Sequence, residues 1–247
     1  MNLQDALHLV YPAQCILCDA LVATDFGLCG QCRVGTNFIG GLVCDKCGTP
    51  LLGDDDGRAV LCDDCMSTAR PWSRGRAAIV YRDGGRSLVL ALKHGDRMDL
   101  ARPAAQWLFA AAQPILRDEM IIAPIPLHWT RLLMRRYNQS ALLSAALARL
   151  TGLVHCPDLL SRRRATFSQD HRGKEARFAN LHGALTITSR HQRLLQDRHV
   201  LLVDDVMTSG ATFAAGAEAC LRAGASEVSV LSLTRVQKEG QSGSAMF

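Results

Sequence analysis

The residues best suited to chemistry lie near the C-terminus, in the segment 200–212. Four apolar residues, typical of a buried strand, lead directly to Asp204 and Asp205, and the run Thr208-Ser209-Gly210-Ala211-Thr212 precedes an alanine-rich helix. Adjacent carboxylates can accept hydrogen bonds from the vicinal hydroxyls of a ribose, and a hydroxyl-rich turn at a helix N-terminus suits a phosphate dianion. This order predicts a ribose 5-phosphate site. A capped helix with Thr208 or Ser209 as the N-cap would explain one hydroxyl but not the acid pair.

The same segment resembles the phosphoribosyl pyrophosphate (PRPP) loop of type I phosphoribosyltransferases. That pattern has four apolar residues, two acids, two variable residues and then Thr/Ser-Thr/Ser-Gly-x-Thr, and every position is filled here. The resemblance implies that Asp204 and Asp205 bind the ribose. It also implies a 5-phosphate loop made of Met207, Thr208, Ser209, Gly210, Ala211 and Thr212.

A second chemical pattern lies in the first quarter of the chain, where eight of the ten cysteines form four Cys-x-x-Cys pairs. The pairs are Cys15/Cys18, Cys29/Cys32, Cys44/Cys47 and Cys62/Cys65. Four such pairs predict two structural Zn²⁺ sites of four thiolates each. We expect sequential pairs to share a metal, as in a double zinc ribbon, with an interleaved cross-brace as the alternative. A disulfide framework would need an oxidising compartment, and no export signal is apparent.

Glycines follow two of these cysteines, and both are expected to relieve crowding at a metal-binding turn: Gly30 after Cys29 and Gly48 after Cys47. The two remaining cysteines, Cys156 and Cys220, are predicted to pack in the core.

Charge divides the chain of 247 residues into two parts. Residues 1–70 contain four basic residues against nine Asp, whereas the rest has 24 basic and 14 acidic residues. The change predicts a double zinc ribbon at 1–70 and a larger domain at 71–240, followed by a disordered tail at 241–247. No stretch approaches the roughly 20 apolar residues of a membrane span, and the N-terminus lacks a signal-peptide pattern, so we expect a cytoplasmic protein without a membrane span.

The larger part alternates between strand and helix patterns, which predicts an α/β fold with a parallel sheet flanked by helices. The periodicity places Ala104, Ala105, Leu108 and Ala112 on the buried face of a helix at 100–112. In the helix at 138–150 it places Leu142, Ala145, Ala146 and Leu150 on one side. Ligands of such sheets bind at the carboxyl ends of the strands, where Asp204 and Asp205 are expected.

Two basic segments complete the candidate site. A strand ending in Pro124-Ile125-Pro126 leads to Arg131, Arg135 and Arg136, which with Lys93 are candidates for binding pyrophosphate or nucleic-acid phosphates. The segment 161–184 lacks clear periodicity and is rich in basic residues, which predicts a flexible flap over the ligand, with a disordered surface loop as the alternative. Its candidate residues are Arg163, Thr166, Gln169, Arg177 and Asn180.

Taken in order, these motifs resemble the ComF/GntX family of phosphoribosyltransferase-like proteins with an N-terminal double zinc ribbon. The motifs that carry the resemblance are the four Cys-x-x-Cys pairs, Leu-Lys-His-Gly-Asp at 92–96, the 124–139 segment, Arg-x-x-Thr-x-x-Gln at 163–169, Arg-x-x-Asn at 177–180, the PRPP loop and Leu-Thr-Arg at 233–235. It implies a type I phosphoribosyltransferase-like sheet, PRPP with Mg²⁺ as ligand, and roles in natural competence, DNA uptake or gluconate utilisation. One departure is Arg136, where the family commonly has glycine.

Two functions fit this pattern. The first is a PRPP-binding protein that handles single-stranded DNA, with the zinc ribbon as a docking surface for a competence-machinery protein. The second is an active phosphoribosyltransferase of the glycosyltransferase class, which displaces pyrophosphate from PRPP with a nitrogen nucleophile. Few residues follow Thr234 to build a nucleobase pocket, and no catalytic acid or base can be assigned. A zinc-dependent DNA-binding regulator is weaker, because its metal module would be acidic.

Overall fold

The computed structural model describes residues 11–94, 96–162 and 183–237 of the chain. The predicted flap residues and the predicted tail at 241–247 lie outside these ranges. Among the described helices, none has the length and apolar content required to cross a membrane.

The larger part of the chain is built on a five-stranded parallel sheet with strand order β1-β7-β6-β2-β3. Its strands are β1 Arg74–Val80, β2 Ile121–Pro124, β3 Val154–His155, β6 His199–Met207 and β7 Glu227–Arg235. A separate antiparallel pair is formed by β4 Leu160–Arg162 and β5 Leu185–Ile187. The α/β class and the parallel sheet predicted from the sequence are therefore confirmed.

Helices cover both faces of the sheet. The elements are α1 Gly30–Gly35, α2 Asp63–Met66, α3 Asp83–His94, α4 Ala101–Ala112, α5 Trp129–Arg135, α6 Gln139–Thr151 and α7 Ala211–Arg222. Alternating side chains of β6 divide the core, because Leu201 and Val203 pack with α3, α4 and α6, whereas Val200 and Leu202 pack with α7. Of these four helices, α7 therefore packs on one face of the sheet, and α3, α4 and α6 pack on the other.

The predicted face of α4 is confirmed, whereas that of α6 is wrong. All four predicted α4 residues are buried. In α6 the fully buried apolar residues are Leu143 and Leu147, and Ser140 and Ser144 lie on the same face. Serines on a buried face weaken the apolar periodicity, which is why the pattern pointed to the wrong side.

The cysteine-rich module packs against both core layers. Its second four-cysteine group belongs to the same buried cluster as Trp72 and α7, while Ile16 joins the layer of α3, α4 and α6. Gly48 has φ +67°, and a Cβ there would lie 2.5 Å from the backbone nitrogen of Ala77 in β1, so glycine is required. Gly30, in contrast, starts α1 with open space around it, so the expected crowding at that position is absent. The domain boundary near residue 70 stays a prediction.

Candidate functional site

The acid pair lies inside β6, because the strand extends beyond the apolar run at 200–203 and ends only at Met207. Pairing with β7 continues past the acids, with Asp204 opposite Ser232 and Met207 opposite Arg235. Asp204 is half-buried and Asp205 is buried. Since β6 is a central strand of a parallel sheet, the two carboxylates are carried near its carboxyl end on a rigid element, where ligands of such sheets bind.

Asp204 is held by hydrogen bonds from α6 and from its own strand. Its Oδ1 accepts a hydrogen bond from Ser140 Oγ at 2.7 Å and another from the backbone N–H of Asp205 at 2.9 Å. Burial raises the pKa of the Asp204 carboxyl to about 7, and the neighbouring charge of Asp205 adds to the rise, against the opposing effects of Ser140 and Lys93. The site therefore contains a carboxyl group that titrates near neutral pH.

Asp205 is paired with a lysine from α3. Lys93 Nζ lies 2.8 Å from Asp205 Oδ2, and the hydroxyl of Thr234 donates to the Asp205 backbone carbonyl at 2.9 Å. The hydroxyl of Tyr137 donates to the carbonyl of Leu92 at 2.8 Å, which connects the loop before α6 to the end of α3. Three segments that are far apart in sequence thus meet at the acid pair: 92–93, 137–140 and 204–205.

The 208–212 turn connects β6 to α7. Gly210 is the N-cap of α7 with φ +80°, a left-handed conformation that favours glycine. Ser209 Oγ accepts a hydrogen bond from the N–H of Ala211 at 3.4 Å, and Thr208 is exposed. The N-cap residue Gly210 has no side chain to cap the helix, so the N–H groups that follow Ala211 in the first turn and the positive dipole end are presented at the turn.

The basic segment after β2 forms α5, which exposes large apolar side chains. Trp129, Leu133 and Met134 are 62%, 71% and 85% exposed. Arg135 Nη1 lies 3.5 Å from Gln139 Oε1, at the limit of a hydrogen bond. Arg136 is the C-cap of the helix with φ +64°, a left-handed conformation in which a glycine would be less strained.

Several predicted residues cannot be placed by the described part of the structure. These are the side chain of Arg131 and the flap residues Arg163, Thr166, Gln169, Arg177 and Asn180. Their roles stay predictions.

Two four-cysteine clusters are formed, and the sequential pairing predicted from the sequence is confirmed. The first cluster is Cys15, Cys18, Cys29 and Cys32, and the second cluster is Cys44, Cys47, Cys62 and Cys65. The Sγ atoms of Cys18 and Cys29 are 3.6 Å apart and those of Cys47 and Cys62 are 3.7 Å apart. A tetrahedral Zn²⁺ with Zn–S bonds of about 2.3 Å requires sulfurs about 3.8 Å apart, so both clusters fit zinc.

The clusters differ in environment. All four cysteines of the second cluster are buried, whereas Cys18 of the first is exposed. In the second cluster the backbone N–H of Cys62 donates to Cys44 Sγ at 3.3 Å, a contact that stabilises a thiolate. Hydrogen bonds from the neighbouring thiols, led by Cys44, lower the pKa of Cys47, and the charge of Arg235 contributes.

Sequence reasoning missed three side chains that organise the site. Ser140 orients Asp204, while Arg70 and Arg235 donate hydrogen bonds to backbone carbonyls of the 208–212 turn. Arg235 belongs to the Leu-Thr-Arg motif, and Ser140 directly follows Asn138-Gln139, so a sequence motif points to the region of each residue although not to its role. Arg70 has no local signal for this role, because the carbonyl of the turn that it binds, that of Ser209, is 139 positions away in sequence.

Comparisons with solved structures give weak matches. The allosteric regulatory enzyme of purine biosynthesis matches 58% of this chain and 29% of its own, with 16% identity and a TM-score of 0.39. A hypoxanthine phosphoribosyltransferase from Staphylococcus aureus matches 61% of this chain and 70% of its own, with 12% identity and a TM-score of 0.33. These scores carry no argument about the site.

Comparisons of sequence are decisive. A double zinc ribbon domain matches residues 6–73. DNA utilization protein YhgH of Salmonella typhimurium is 32% identical over 234 residues, covering 92% of this chain and 99% of that protein. The YhgH protein of Escherichia coli K12 is 30% identical, with the same coverage, and Competence protein F of Haemophilus influenzae is 26% identical over 85% of this chain and 90% of that protein. The predicted resemblance is confirmed: the chain belongs to the ComF family of double-zinc-ribbon proteins that includes YhgH and Competence protein F.

Proposed function

We propose that this protein binds PRPP with Mg²⁺ and acts in the handling of single-stranded DNA. One observation carries the proposal: an acid pair near the carboxyl end of a central parallel strand is followed directly by a hydroxyl-rich turn and the N-terminus of α7, whose N-cap is a glycine. The ribose hydroxyls would bind Asp204 and Asp205, and the 5-phosphate would bind the N–H groups and hydroxyls of the 208–212 turn.

The acid pair also suits a cation. Lys93 forms an ion pair with Asp205 and neutralises its charge. Carboxylate oxygens are the hard ligands that Mg²⁺ takes, so Asp204 and Asp205 would be its protein partners alongside the oxygens of PRPP. With the Asp205 carboxylate engaged by ligand, Lys93 would be available to bind pyrophosphate oxygens. The site thus keeps its charges paired both without and with ligand.

Calorimetric titration of the full chain with PRPP and Mg²⁺ tests this proposal. We expect wild-type binding and a loss of about 100-fold or more in Asp204→Asn/Asp205→Asn, because each charge-assisted hydrogen bond contributes about 1.5–3 kcal/mol. Glu218→Gln is a matched control, since it removes one acid from the far half of α7. A wild type that gives no heat of binding would refute the PRPP site.

We propose that single-stranded DNA binds along α5, with Arg135 and Arg136 contacting phosphates and exposed Trp129 stacking on a base. The exposed tryptophan beside two arginines supports this, as do the names of the relatives. Salt-dependent binding of a labelled oligonucleotide should weaken in Arg135→Ala/Arg136→Ala, and the logarithmic salt slope should fall by about 1.4, the value for two phosphate contacts.

Arg149→Ala/Arg222→Ala is the control for that experiment. It removes the same charge from the last turns of α6 and α7, at the opposite ends of these helices from the site. Equal weakening by both double variants would show a dependence on net charge and contradict a DNA site on α5.

The transferase alternative is separated by a third measurement. Release of pyrophosphate from PRPP in the presence of purine and pyrimidine bases would establish a phosphoribosyltransferase, whereas binding without release supports a ligand-binding role. We also propose a cytoplasmic location and a docking role for the zinc ribbon toward a protein of the DNA-handling machinery.

A further inference from the structure

Two buried arginines connect the second cysteine cluster to the 208–212 turn. They approach the turn from different elements: Arg70 precedes β1, and Arg235 ends β7. Both guanidinium groups bind the cysteine-rich module with one nitrogen and the turn with another. We refer to Arg70 and Arg235 together as the arginine clamp.

Arg235 makes the more direct connection. Its Nη1 donates to the carbonyls of Thr208 at 2.6 Å, Met207 at 3.2 Å and Val236 at 2.7 Å. Its Nη2 lies 3.7 Å from Cys47 Sγ, within reach of a hydrogen bond to sulfur. The residue is 5% exposed. One guanidinium therefore contacts both a metal-ligating sulfur and the start of the turn.

Arg70 makes a second connection through α2. Its Nη1 donates to the Ser209 carbonyl at 2.6 Å, and its Nη2 pairs with Asp64 Oδ2 at 2.7 Å. Asp64 lies between the cluster residues Cys62 and Cys65. The Arg70 and Asp64 side chains are 1% and 10% exposed, so this pair is shielded from solvent screening.

Packing beneath the turn leaves no space for another side chain. The Arg70 guanidinium lies 5.4 Å from the ring of Trp72, and that ring packs edge-on against Phe213 of α7 at 6.3 Å. A Cβ on Gly210 would lie 3.0 Å from both Arg70 and Trp72. Glycine at 210 is therefore favoured by its tight contact with the clamp as well as by its positive φ.

The clamp fixes the directions of the peptide N–H groups in the turn. In a trans peptide the N–H points opposite to the carbonyl, and the described backbone contains no cis bond. Because Met207, Thr208 and Ser209 direct their carbonyls to the arginines, the N–H groups of Thr208, Ser209 and Gly210 point away from the two guanidinium groups. These donors belong to the segment that would hold the phosphate.

We propose that Arg70 and Arg235 are positioning residues that hold the 208–212 turn in its phosphate-binding shape by anchoring it to the second zinc site. Loss of the metal from the second cluster would release the clamp and weaken phosphate binding, while loss from the first cluster would not. The role in phosphate binding rests on the proposed function, whereas the anchoring of the turn can be tested without ligand.

Hydrogen exchange of the ligand-free, full-length protein tests the anchoring. We expect peptides spanning 205–213 to exchange about tenfold faster or more in Arg70→Met and in Arg235→Met, the range for losing a charge-assisted hydrogen bond. Arg33→Met is the matched control, because Arg33 stacks on Phe38 in the first half of the module, with 4.4 Å to the ring centroid. Arg70→Lys, which keeps one donor, should restore part of the protection.

Zinc release tests the role of the metal. With a colorimetric chelator in excess, saturating PRPP and Mg²⁺ should slow release from the second cluster tenfold or more and leave the first unchanged, because a ligand that holds the turn also holds the clamp against the second cluster. The rates can be assigned with Cys18→Ser/Cys29→Ser, which lacks the first site.

The outcomes separate the two proposals. Unchanged exchange at 205–213 in Arg70→Met and Arg235→Met, both folded like the wild type, would overturn the clamp. If calorimetry shows that PRPP binds but both zinc-release rates stay unchanged, the link between the arginine clamp and the second zinc site would be overturned. A wild type that does not bind PRPP would overturn the proposed function, and the exchange result would then decide the clamp by itself.

Discussion

Replacing Asp204 by asparagine should stabilise the protein, although it removes a proposed ligand-binding group. Burial and the charge of Asp205 raise the pKa of this carboxyl from 3.8 to about 7. The folded protein thus holds the proton more tightly than the unfolded chain. The ionised carboxylate therefore destabilises the fold at pH values above about 7, and this penalty disappears as the pH falls toward 3.8.

The magnitude follows from the size of the shift. A shift of that size corresponds to at most about 4 kcal/mol, at 1.36 kcal/mol per pKa unit. Asp204 is half-buried, so water relaxes part of the penalty, and we expect about 1–2 kcal/mol at pH 8. Asparagine keeps an oxygen that accepts the hydrogen bonds of Ser140 and of the Asp205 N–H. The melting temperature should rise by about 3–6 °C.

Urea unfolding at pH 8 and pH 5, with equal zinc in all samples, measures the effect. The gain for Asp204→Asn should shrink at pH 5, where the folded wild type is already protonated at this position. Asp45→Asn is a control of opposite sign: although burial raises its pKa, hydrogen bonds from Arg74 and Arg76 lower it overall. Asp45 therefore stabilises the fold above the unfolded pKa, and its replacement should destabilise at pH 8. A destabilised Asp204→Asn at pH 8, or a gain independent of pH, would refute the reasoning.

Three further predictions concern other parts of the molecule. Arg136→Gly should raise the free energy of unfolding by about 1 kcal/mol, because it relieves a left-handed backbone at φ +64°; a decrease in urea unfolding experiments would contradict this. A chelator should remove zinc in two phases, the faster from the first cluster, since its Cys18 is exposed and all cysteines of the second cluster are buried; a single phase would argue against this difference. Lys93→Met should raise the pKa of Asp204 further, because the lysine charge lowers that pKa in the wild type. The pH midpoint of Mg²⁺-dependent PRPP binding should therefore move upward, and a midpoint that moves down would count against the Lys93–Asp205 pairing.

Local patterns predicted what depends on local residues. The four Cys-x-x-Cys pairs give two clusters, and the alternation of strand and helix gives a parallel sheet, because turn geometry and side-chain periodicity are short-range properties. The acids and the turn were recognised for the same reason. The end of β6 was placed too early, since Asp204 and Asp205 break an apolar run that strand pairing with β7 nevertheless continues.

The partners of the site residues could not be read from the sequence. Ser140 reaches Asp204 from a helix 64 residues away, and Arg235 reaches Cys47 across 188 residues. The sequence predicts that Lys93 binds a phosphate, and it gives no sign of the ion pair with Asp205 that the structure shows. Such contacts depend on how the sheet is ordered and on how the ribbon packs against it, which no local pattern encodes.

A crystal structure of the protein with PRPP and Mg²⁺ would test the central claim most directly. We predict that the 5-phosphate lies within hydrogen-bonding distance of the backbone N–H groups of the 208–212 turn and that the ribose hydroxyls contact Asp204 and Asp205. A ligand bound along α5 instead, with the turn and the acid pair untouched, would contradict the account.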